Sequence, residues 1–436
     1  MVIVFVLGYL AIALEHPLKV DKAASALILG TVTWALYTFS GVDPHVVEEG
    51  LLHHLSEISI ILFFLMGAMT IVETVDSYHG FAIITDRIKT TNKVKLLWII
   101  SILTFFFSAV LDNLTTTIVM VSLLRKLIDD RETRLFYLGI VVVSANAGGA
   151  WSPIGDVTTT MLWIGNQLST GTIIKQLFLP SLVTMLVPLI FLSFRMKGNI
   201  VRPKLEDRDT GVITPGIQKL VFFMGVGGLL FVPVFKTVTH LPPFMGMMLS
   251  LGILWLTTEL LVEKKKKVQE THSLLNVNKI LDKIDTASVL FFLGILLGVA
   301  ALQEAGFLDI VAEYLRETLG NIYTINIAIG LFSAMIDNVP LVAGAMGMYE
   351  ITTPDMLQAA SPENAEWLKY FVHDGRFWQF LAFCAGTGGS VLIIGSAAGV
   401  AAMGLERIDF IWYLKNISLL ALMGYLAGAA FYVFLM

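Results

Sequence analysis

Two apolar stretches of this 436-residue chain end in the same Asp-Asn dipeptide. Residues 107–113 read Phe-Ser-Ala-Val-Leu-Asp-Asn and residues 332–338 read Phe-Ser-Ala-Met-Ile-Asp-Asn, which places Asp112 and Asp337 at equivalent positions. An aspartate in hydrocarbon costs about 2.5–3.5 kcal/mol on insertion scales, so such a residue usually has a function. Carboxylate and amide oxygens suit a hard cation such as Na⁺, and a carboxylate that faces a cavity can instead hold a proton. The repeated dipeptide therefore predicts a site at which Na⁺ and H⁺ compete.

A third acidic residue, Asp156, closes a segment that glycine and proline should interrupt. Residues 144–156 contain three glycines and a proline, which disfavour a continuous helix, so we expect this whole segment to be unwound. Carbonyl groups freed by such a break can coordinate a cation. An aspartate is also a favoured helix N-cap. For Asp156 both interpretations stay open, whereas the duplication of Asp112 and Asp337 favours ion ligands.

The candidate ion ligands are carboxylate, amide and hydroxyl side chains of these segments. They are Asp112, Asn113, Thr115, Thr116, Asn146, Asp156, Thr158, Thr159, Asp337, Asn338, Ser390 and Ser396. We expect Na⁺ itself on Asp112, Asn113, Asp156, Asp337 and Asn338. Ser144 lies in the predicted break, and Glu57 and Asp285 open equivalent apolar helices, so these three are tentative ion-pathway residues. No Arg or Lys lies near the two dipeptides or the predicted breaks, which favours a cation as the substrate.

Composition assigns the chain to the polytopic all-α membrane proteins. It is 56% hydrophobic and 14% charged, with a mean hydropathy of +0.78, whereas soluble proteins have about 25% charged residues. Apolar runs of about twenty residues, the length with which a helix crosses the hydrocarbon core, recur along it. The single cysteine, Cys384, excludes an internal disulfide. We expect no cofactor and no nucleic-acid partner; the expected partners are Na⁺ and H⁺, with Li⁺ as a further candidate, and the lipid bilayer.

Hydropathy divides the chain into two similar halves. In the first repeat, 1–200, we predict crossings at 1–14, 23–40, 56–73, 135–168 and 177–196 and a hairpin at 96–128. The linker is 201–216, and the second repeat, 217–436, has crossings at 217–235, 243–261, 285–303, 376–404 and 412–435 and a hairpin at 322–350. Hairpin arms of about 15 residues are short for a crossing, so both hairpins should be re-entrant, with Asp-Asn at their tips. The crossings at 135–168 and 376–404 should be broken helices.

The distribution of charge predicts the orientation of the two repeats. Each half has five crossings, an odd number, so the repeats should have inverted topology. Lys and Arg cluster in the loops expected inside, including Lys264–Lys267, while the loops expected outside are acidic or nearly neutral. Residues 305–319 should form an amphipathic helix on the outer face. We therefore place both termini on the outer side of the cell inner (plasma) membrane, with the hairpins entering from opposite sides.

These motifs resemble those of a known family. Residues 112–117, the break at 146–156 with Thr158 and Thr159, and residues 336–340 together are similar to NhaD-type sodium/proton antiporters of the ion transporter superfamily. The resemblance covers essentially the whole chain. It implies two inverted repeats, a homodimer and elevator-like movement of a transport part against a scaffold. The functional residues of the family fall on Ser108, Asp112, Asn113, Asn146, Asp156, Thr158, Thr159, Asp285, Thr286, Ser333 and Asn338. For Ser108, Thr286 and Ser333 a place on the ion pathway is implied by the resemblance alone.

One departure concerns the second tip, where Val339 and Pro340 replace Leu114 and Thr115, so the two tips need not be equivalent. The predicted function is a secondary active transporter, not an enzyme, that exchanges Na⁺, and as a further candidate Li⁺, for H⁺ by alternating access. The alternatives are an anion or arsenite carrier of the same superfamily, a passive channel, and an intramembrane aspartyl protease using Asp112 and Asp156. Against the protease, the sequence before Asp156 lacks the Gly-x-Gly-Asp spacing.

Overall fold

The computed structural model describes residues 1–13, 15–85, 87–203, 214–265, 280–335 and 337–435. These residues form α-helices joined by loops and contain no β-strand, apart from one isolated bridge between Asn92 and Asn199. Seven of the helices are long and apolar enough to cross a membrane. The protein is therefore an all-α, multi-pass membrane protein, as composition predicts. Residues 204–213 of the predicted linker, and Lys266 and Lys267 of the predicted topology signal, lie outside the described residues.

The first half contains eight labelled helices. They are α1 (Val2–Ala13), α2 (Lys22–Thr38), α3 (Pro44–Ser77), α4 (Lys93–Leu111), α5 (Asn113–Leu127), α6 (Arg131–Ala150), α7 (Val157–Ile164) and α8 (Thr170–Arg195). Short helical segments at Glu15–Leu18 and Ala82–Thr85 lie between them. The predicted hairpin corresponds to α4 and α5, and the predicted broken helix corresponds to α6 and α7.

The second half continues in the same order. It contains α9 (Pro215–Thr239), α10 (Pro243–Lys265), α11 (Thr286–Glu304), α12 (Phe307–Leu319), α13 (Ile322–Ser333), α14 (Asn338–Met348), α15 (Arg376–Gly388), α16 (Ala397–Glu406), α17 (Phe410–Asn416) and α18 (Ser418–Leu435). Short helical segments at Pro354–Ala359, Pro362–Leu368 and Lys369–Phe371 precede α15. The predicted hairpin corresponds to α13 and α14, the broken helix to α15 and α16, and the amphipathic helix to α12.

The ends of several helices do not coincide with the ends of the predicted crossings. Helix α3 begins at Pro44 rather than at about residue 56, because Asp43 caps it and proline is tolerated in a first turn. Helix α4 has 19 residues, more than the expected arm, because the Asn92 side chain accepts a hydrogen bond from the Lys95 amide and starts the helix early. It is one of the seven helices that are long and apolar enough to cross a membrane, so the length argument for a re-entrant hairpin does not hold for this arm. The predicted crossing at 412–435 is divided between α17 and α18 at Ile417.

The predicted break at 144–156 is also too wide. Residues 144–150 are helical, and only residues 151–156 separate α6 from α7. The glycines of this segment serve packing, since a Cβ added at Gly148 would collide with the carbonyl oxygen of Phe105. In the second half a Cβ at Gly388 would collide with the carbonyl oxygen of Gly330 in the same way. This close backbone approach outweighs the helix penalty of glycine, which is only about 1 kcal/mol.

Helices of the two halves pack against each other beside the two breaks. Within each half, the first hairpin helix packs on the helix before the break: α4 on α6, and α13 on α15. The second hairpin helix also packs there, and in addition it packs on the helix after the break in the other half: α5 on α16, and α14 on α7. Because α5, α7, α14 and α16 all begin beside a tip or a break, this packing brings their N-terminal ends to one region.

Helices α2 and α11 form a close pair outside this region. A Cβ at Gly30 would collide with the carbonyl group of Gly294, and one at Gly294 would collide with the backbone at Ala26. Small residues that let two backbones approach in this way are typical of tightly packed membrane helices. The pair therefore holds the residue at the start of α2, Lys22, in a fixed place.

Candidate ion site

Asp112 alone separates α4 from α5. Its backbone has φ 77° and ψ 163°, a conformation that non-glycine residues rarely adopt and that costs about 1–3 kcal/mol. Its carboxylate accepts hydrogen bonds from the Thr115 amide at 2.7 Å and the Thr115 hydroxyl at 3.0 Å. Asp112 therefore caps α5, and the strained backbone keeps its carboxylate at the interruption between the two helices.

Asp156 is the centre of the hydrogen-bond network. It caps α7, accepting from the Thr158 amide at 2.9 Å and the Thr158 hydroxyl at 2.7 Å, and it is almost fully buried. The side-chain amide of Asn113 donates to its other oxygen at 2.7 Å, and that of Asn338 approaches its first oxygen at 3.5 Å. The capping and ligand interpretations are thus compatible, because the cap leaves oxygen positions that both Asp-Asn dipeptides reach.

The network extends to the second break through Asn146. The Asn113 amide also donates to Asn146 Oδ1 at 3.0 Å, and Asn146 Nδ2 donates to the Ser396 hydroxyl at 2.9 Å. Ser396 caps α16, as Asp156 caps α7. Six predicted ligands therefore form one connected group of buried side chains: Asn113, Asn146, Asp156, Thr158, Asn338 and Ser396.

Asp337 has a partner that sequence reasoning missed. It caps α14, with its Oδ1 accepting from the Val339 amide at 3.2 Å. Its Oδ2 lies 3.5 Å from the ammonium of Lys22 at the start of α2. In the sequence, Lys22 is an ordinary basic residue in front of an apolar helix, and nothing there indicates a contact with the second half.

Two predicted polar residues are buried without a hydrogen-bond partner. The hydroxyls of Thr116 on α5 and Ser144 on α6 are enclosed, and neither has a partner among the described residues. A buried hydroxyl without a partner costs about 1–3 kcal/mol, so such groups usually serve an ion or a water molecule. Both belong to the helices that carry Asn113 and Asn146.

The other predicted hydroxyls bond to backbone carbonyls. Ser108 donates to the Ala145 carbonyl at 2.5 Å and Ser333 to the Ala385 carbonyl at 3.0 Å, which fastens each hairpin to its own broken helix. Thr159 and Ser390 donate to carbonyls three residues earlier in their own segments.

The tentative pathway acids lie elsewhere. The Glu57 side chain is 63% exposed and lines a cavity of about 360 Å³ between α3, α7, α11 and α14. His54 also lines this cavity, and its Nε2 lies 3.0 Å from Glu304. The cavity touches the two short helices that begin at the network. Asp285 and Thr286 are exposed at the start of α11, where Asp285 accepts from the Ser288 amide at 3.0 Å.

The charges of the site suit a small cation. Among the described residues, no three His, Cys, Asp or Glu side chains lie together as a possible metal site. Four helix N-termini, each with about half a positive charge, point into the region, and Asp caps three of them. A bound anion would therefore meet a carboxylate at most of the helix ends.

Comparison with known proteins identifies the family of the chain. A family described as "CitMHS: Citrate transporter" matches residues 8–370. Sodium/proton antiporter 1 of Arabidopsis thaliana is 46% identical over 99% of this chain and 72% of its own length. Sodium/proton antiporter 2 of the same plant is 43% identical over 99% and 98%. The Na(+)/H(+) antiporter NhaD of Alkalimonas amylolytica is 29% identical over 99% and 89%.

The chain belongs to the NhaD-type sodium/proton antiporters. This membership confirms the resemblance seen in the dipeptides and the break. It also makes the chain a transporter and not an enzyme, so the protease alternative is wrong. In this NhaD-type chain Asp112, Asp156 and Asp337 are all helix caps, and only Asp156 receives hydrogen bonds from both dipeptides.

Proposed function

We propose that this protein exchanges Na⁺ for H⁺ across its membrane, with Asp112 and Asp156 as the principal ion-binding carboxylates. The observation that carries the proposal is the burial of Asp156 among the amides of Asn113 and Asn338, which belong to hairpins of opposite halves. Movement of either half would change the ligands of one ion, as alternating access requires. The names of the relatives support Na⁺ and H⁺ as the two exchanged ions.

Competition for these carboxylates would couple the two ions. Asp112 and Asp156 accept hydrogen bonds only from neutral groups in the described residues, so each can bind a positive charge. A bound Na⁺ disfavours protonation of a neighbouring carboxylate, and a bound proton removes the charge that holds Na⁺. A site that must be filled by one ion or the other before it moves gives obligate exchange.

The other predicted ligands complete the proposal. Asn113, Asn146, Asn338 and the hydroxyls of Thr158 and Ser396 would supply neutral oxygens, while Thr116 and Ser144 would bind the ion or its water. For Asp337 the Na⁺ ligand role stays a prediction, because its carboxylate already faces Lys22. Roles for Thr115, Thr159 and Ser390 in ion binding, and for Ser108, Ser333, Glu57, Asp285 and Thr286 along the pathway, also stay predictions.

An anion carrier is the alternative suggested by the description of the matching family. Four helix N-termini would favour an anion, but Asp occupies three of these ends, and in the described part of the chain these carboxylates outnumber the one lysine beside them. A carboxylate substrate would have to displace the Asp side chains from their own backbone amides. The charge of the site therefore supports a cation.

The movement we propose is elevator-like. The hairpins and broken helices would move as a unit against α2, α3, α10 and α11. Repetition of the Ser108–Ala145 contact as Ser333–Ala385 supports two repeats, and the charge distribution supports their inverted topology and re-entrant hairpins. The cavity between α3, α7, α11 and α14 would give access from one side. Li⁺, whose chemistry resembles that of Na⁺, would be a second substrate.

We also propose a homodimer in the inner (plasma) membrane with both termini outside. The helices α9 and α10 are the least buried of the seven candidate spans, and they expose Phe223, Phe231, Ile253 and Leu256. A second copy would cover part of this face. Single-molecule photobleaching counts the copies, and because Cys384 is buried and is the only cysteine, single cysteines added at either terminus report the side by labelling from outside.

Fluorescence dequenching in everted vesicles tests the exchange. Vesicles that have been acidified by respiration receive Na⁺, Li⁺, K⁺ or citrate. The proposal expects dequenching with Na⁺ and Li⁺ that vanishes in vesicles without the protein. The proposal would be refuted if none of the cations caused dequenching. It would also be refuted if the vesicles took up labelled citrate but showed no cation-dependent dequenching.

A further inference from the structure

Lys22, at the start of α2, contacts the second Asp-Asn dipeptide. Its ammonium lies 3.5 Å from Asp337 Oδ2, with both side chains mostly enclosed, at 21% and 15% exposure. The same ammonium lies 4.5 Å from the ring centroid of Phe291, a fully buried residue of α11. Asp21 caps the first turn of α2, and the close packing of α2 on α11 fixes the backbone from which Lys22 extends. Asp337, in contrast, belongs to a hairpin tip.

The three aspartates consequently differ in what they bind. Asp337 has both oxygens occupied, Oδ1 by the Val339 amide and Oδ2 by the Lys22 ammonium. Asp112 and Asp156 accept only from neutral groups. An ammonium beside a carboxylate repels a second cation, and in enclosed surroundings this repulsion is weakly screened. Asp337 is thus the carboxylate least suited to hold a free Na⁺.

We infer that Lys22 is a built-in counter-cation, which neutralises Asp337 and leaves Asp112 and Asp156 to the transported ions. The inference rests on the proposed Na⁺/H⁺ exchange and assigns Lys22 as a positioning residue for it. Three carboxylates with one ammonium leave two negative charges, on Asp112 and Asp156, for which Na⁺ and protons compete. The pair also fixes the second tip against α2 in the conformation described.

Changing one member of the pair should alter Na⁺ binding in opposite directions. In Lys22→Met the Asp337 charge is left without its partner beside the site, so Na⁺ should bind at least tenfold more tightly. In Asp337→Asn the Lys22 charge is left instead, so Na⁺ should bind at least tenfold more weakly. In the double variant both charges are absent, so the dissociation constant should return to within about threefold of the wild-type value. Such coupling is what a double-mutant cycle measures.

The experiment is equilibrium binding of ²²Na⁺ to the purified full-length protein at alkaline pH, where protons compete least. Lys22→Arg should preserve the wild-type constant, since it keeps the charge. Lys283→Met is the matched control, because it removes a comparable pair with Glu73, 3.2 Å apart, at an exposed position. Elution as a single monodisperse species checks folding of each variant. If Lys22→Met alone fails to fold, the neutral double variant still gives the decisive constant.

The outcomes separate the two proposals. Wild-type protein that binds no Na⁺ would contradict the proposed function itself. Wild-type binding with a double variant as weak as Asp337→Asn would overturn only the role of Lys22, because Asp337 would then be a direct ligand. A Lys22→Met constant equal to that of the wild type would overturn it as well.

Discussion

Replacing Asp156 by Asn should remove most of the Na⁺ affinity while leaving a folded protein. The carboxylate would lie within about 4 Å of a bound ion, where two unit charges interact by about 4 kcal/mol at an effective dielectric constant of 20. Because each 1.4 kcal/mol is a factor of ten, loss of the charge should weaken binding by about a thousandfold, and by about a hundredfold if the Asn oxygen still coordinates. Half-saturation by Na⁺ in the dequenching assay should rise accordingly.

The same change should have a smaller effect on stability. Asp156 accepts from Asn113, Asn338 and Thr158, all neutral donors, and the NH₂ of the new amide group must face one of them. One hydrogen bond to a charged acceptor is then lost, about 1.5–3 kcal/mol. The matched control is Asp409→Asn at the exposed cap of α17, where Asp409 accepts from the Trp412 amide at 2.9 Å and Asn caps nearly as well. Unchanged half-saturation in Asp156→Asn would refute the reasoning, because Asp156 would then be a cap and nothing more.

Three further predictions concern the tip, the packing and the contact between the halves. Asp112→Gly should abolish Na⁺-dependent dequenching yet keep the thermal unfolding temperature at or above the wild-type value, since glycine adopts φ 77° without strain. Retained exchange would show that Asp112 binds no transported ion. Gly148→Ala should destabilise by about 1–3 kcal/mol, because its Cβ meets the Phe105 backbone, whereas Gly227→Ala has open space around it and should be neutral or stabilising; equal melting shifts would contradict the packing argument. Glu406→Ala should destabilise the protein by about 3 kcal/mol, because the nearly buried Glu406 carboxylate forms ion pairs with Arg125 at 2.5 Å and with Arg134 at 3.2 Å. Asp130→Ala, at an exposed cap, is the control, and a melting shift no larger than that of the control would exclude a structural role for these ion pairs.

The residue types of the site could be predicted because their chemistry is unusual for their surroundings. Asp112, Asp156 and Asp337 interrupt apolar sequence, and the cost of a charge in hydrocarbon identifies them without any structure. The repeat of the dipeptide likewise indicated that Asn113 and Asn338 would have related places, and both approach Asp156. What the pattern did not indicate is that the network centres on Asp156 rather than on a tip.

The features that were missed depend on contacts between distant parts of the chain. Lys22 precedes an apolar helix, the usual place for an interfacial lysine, and its pairing with Asp337 arises only from the packing of α2 and the second hairpin. The helical state of residues 144–150 follows from close backbone contacts at Gly148, which helix propensity does not describe. Helix α3 extends beyond its apolar run because its polar first turns lie beside α11, where His54 meets Glu304.

Flux of ²²Na⁺ into proteoliposomes that contain only the purified protein tests the proposed exchange most directly. With an acidic lumen and no other driving force, the wild-type protein should accumulate ²²Na⁺ above its external concentration, and a protonophore with a potassium shunt should abolish the accumulation. Asp112→Gly vesicles should resemble protein-free vesicles, and Asp156→Asn vesicles should do so at Na⁺ concentrations that half-saturate the wild-type protein. Uptake that only reaches equilibrium and ignores the proton gradient would contradict coupled exchange and would indicate a passive sodium pathway.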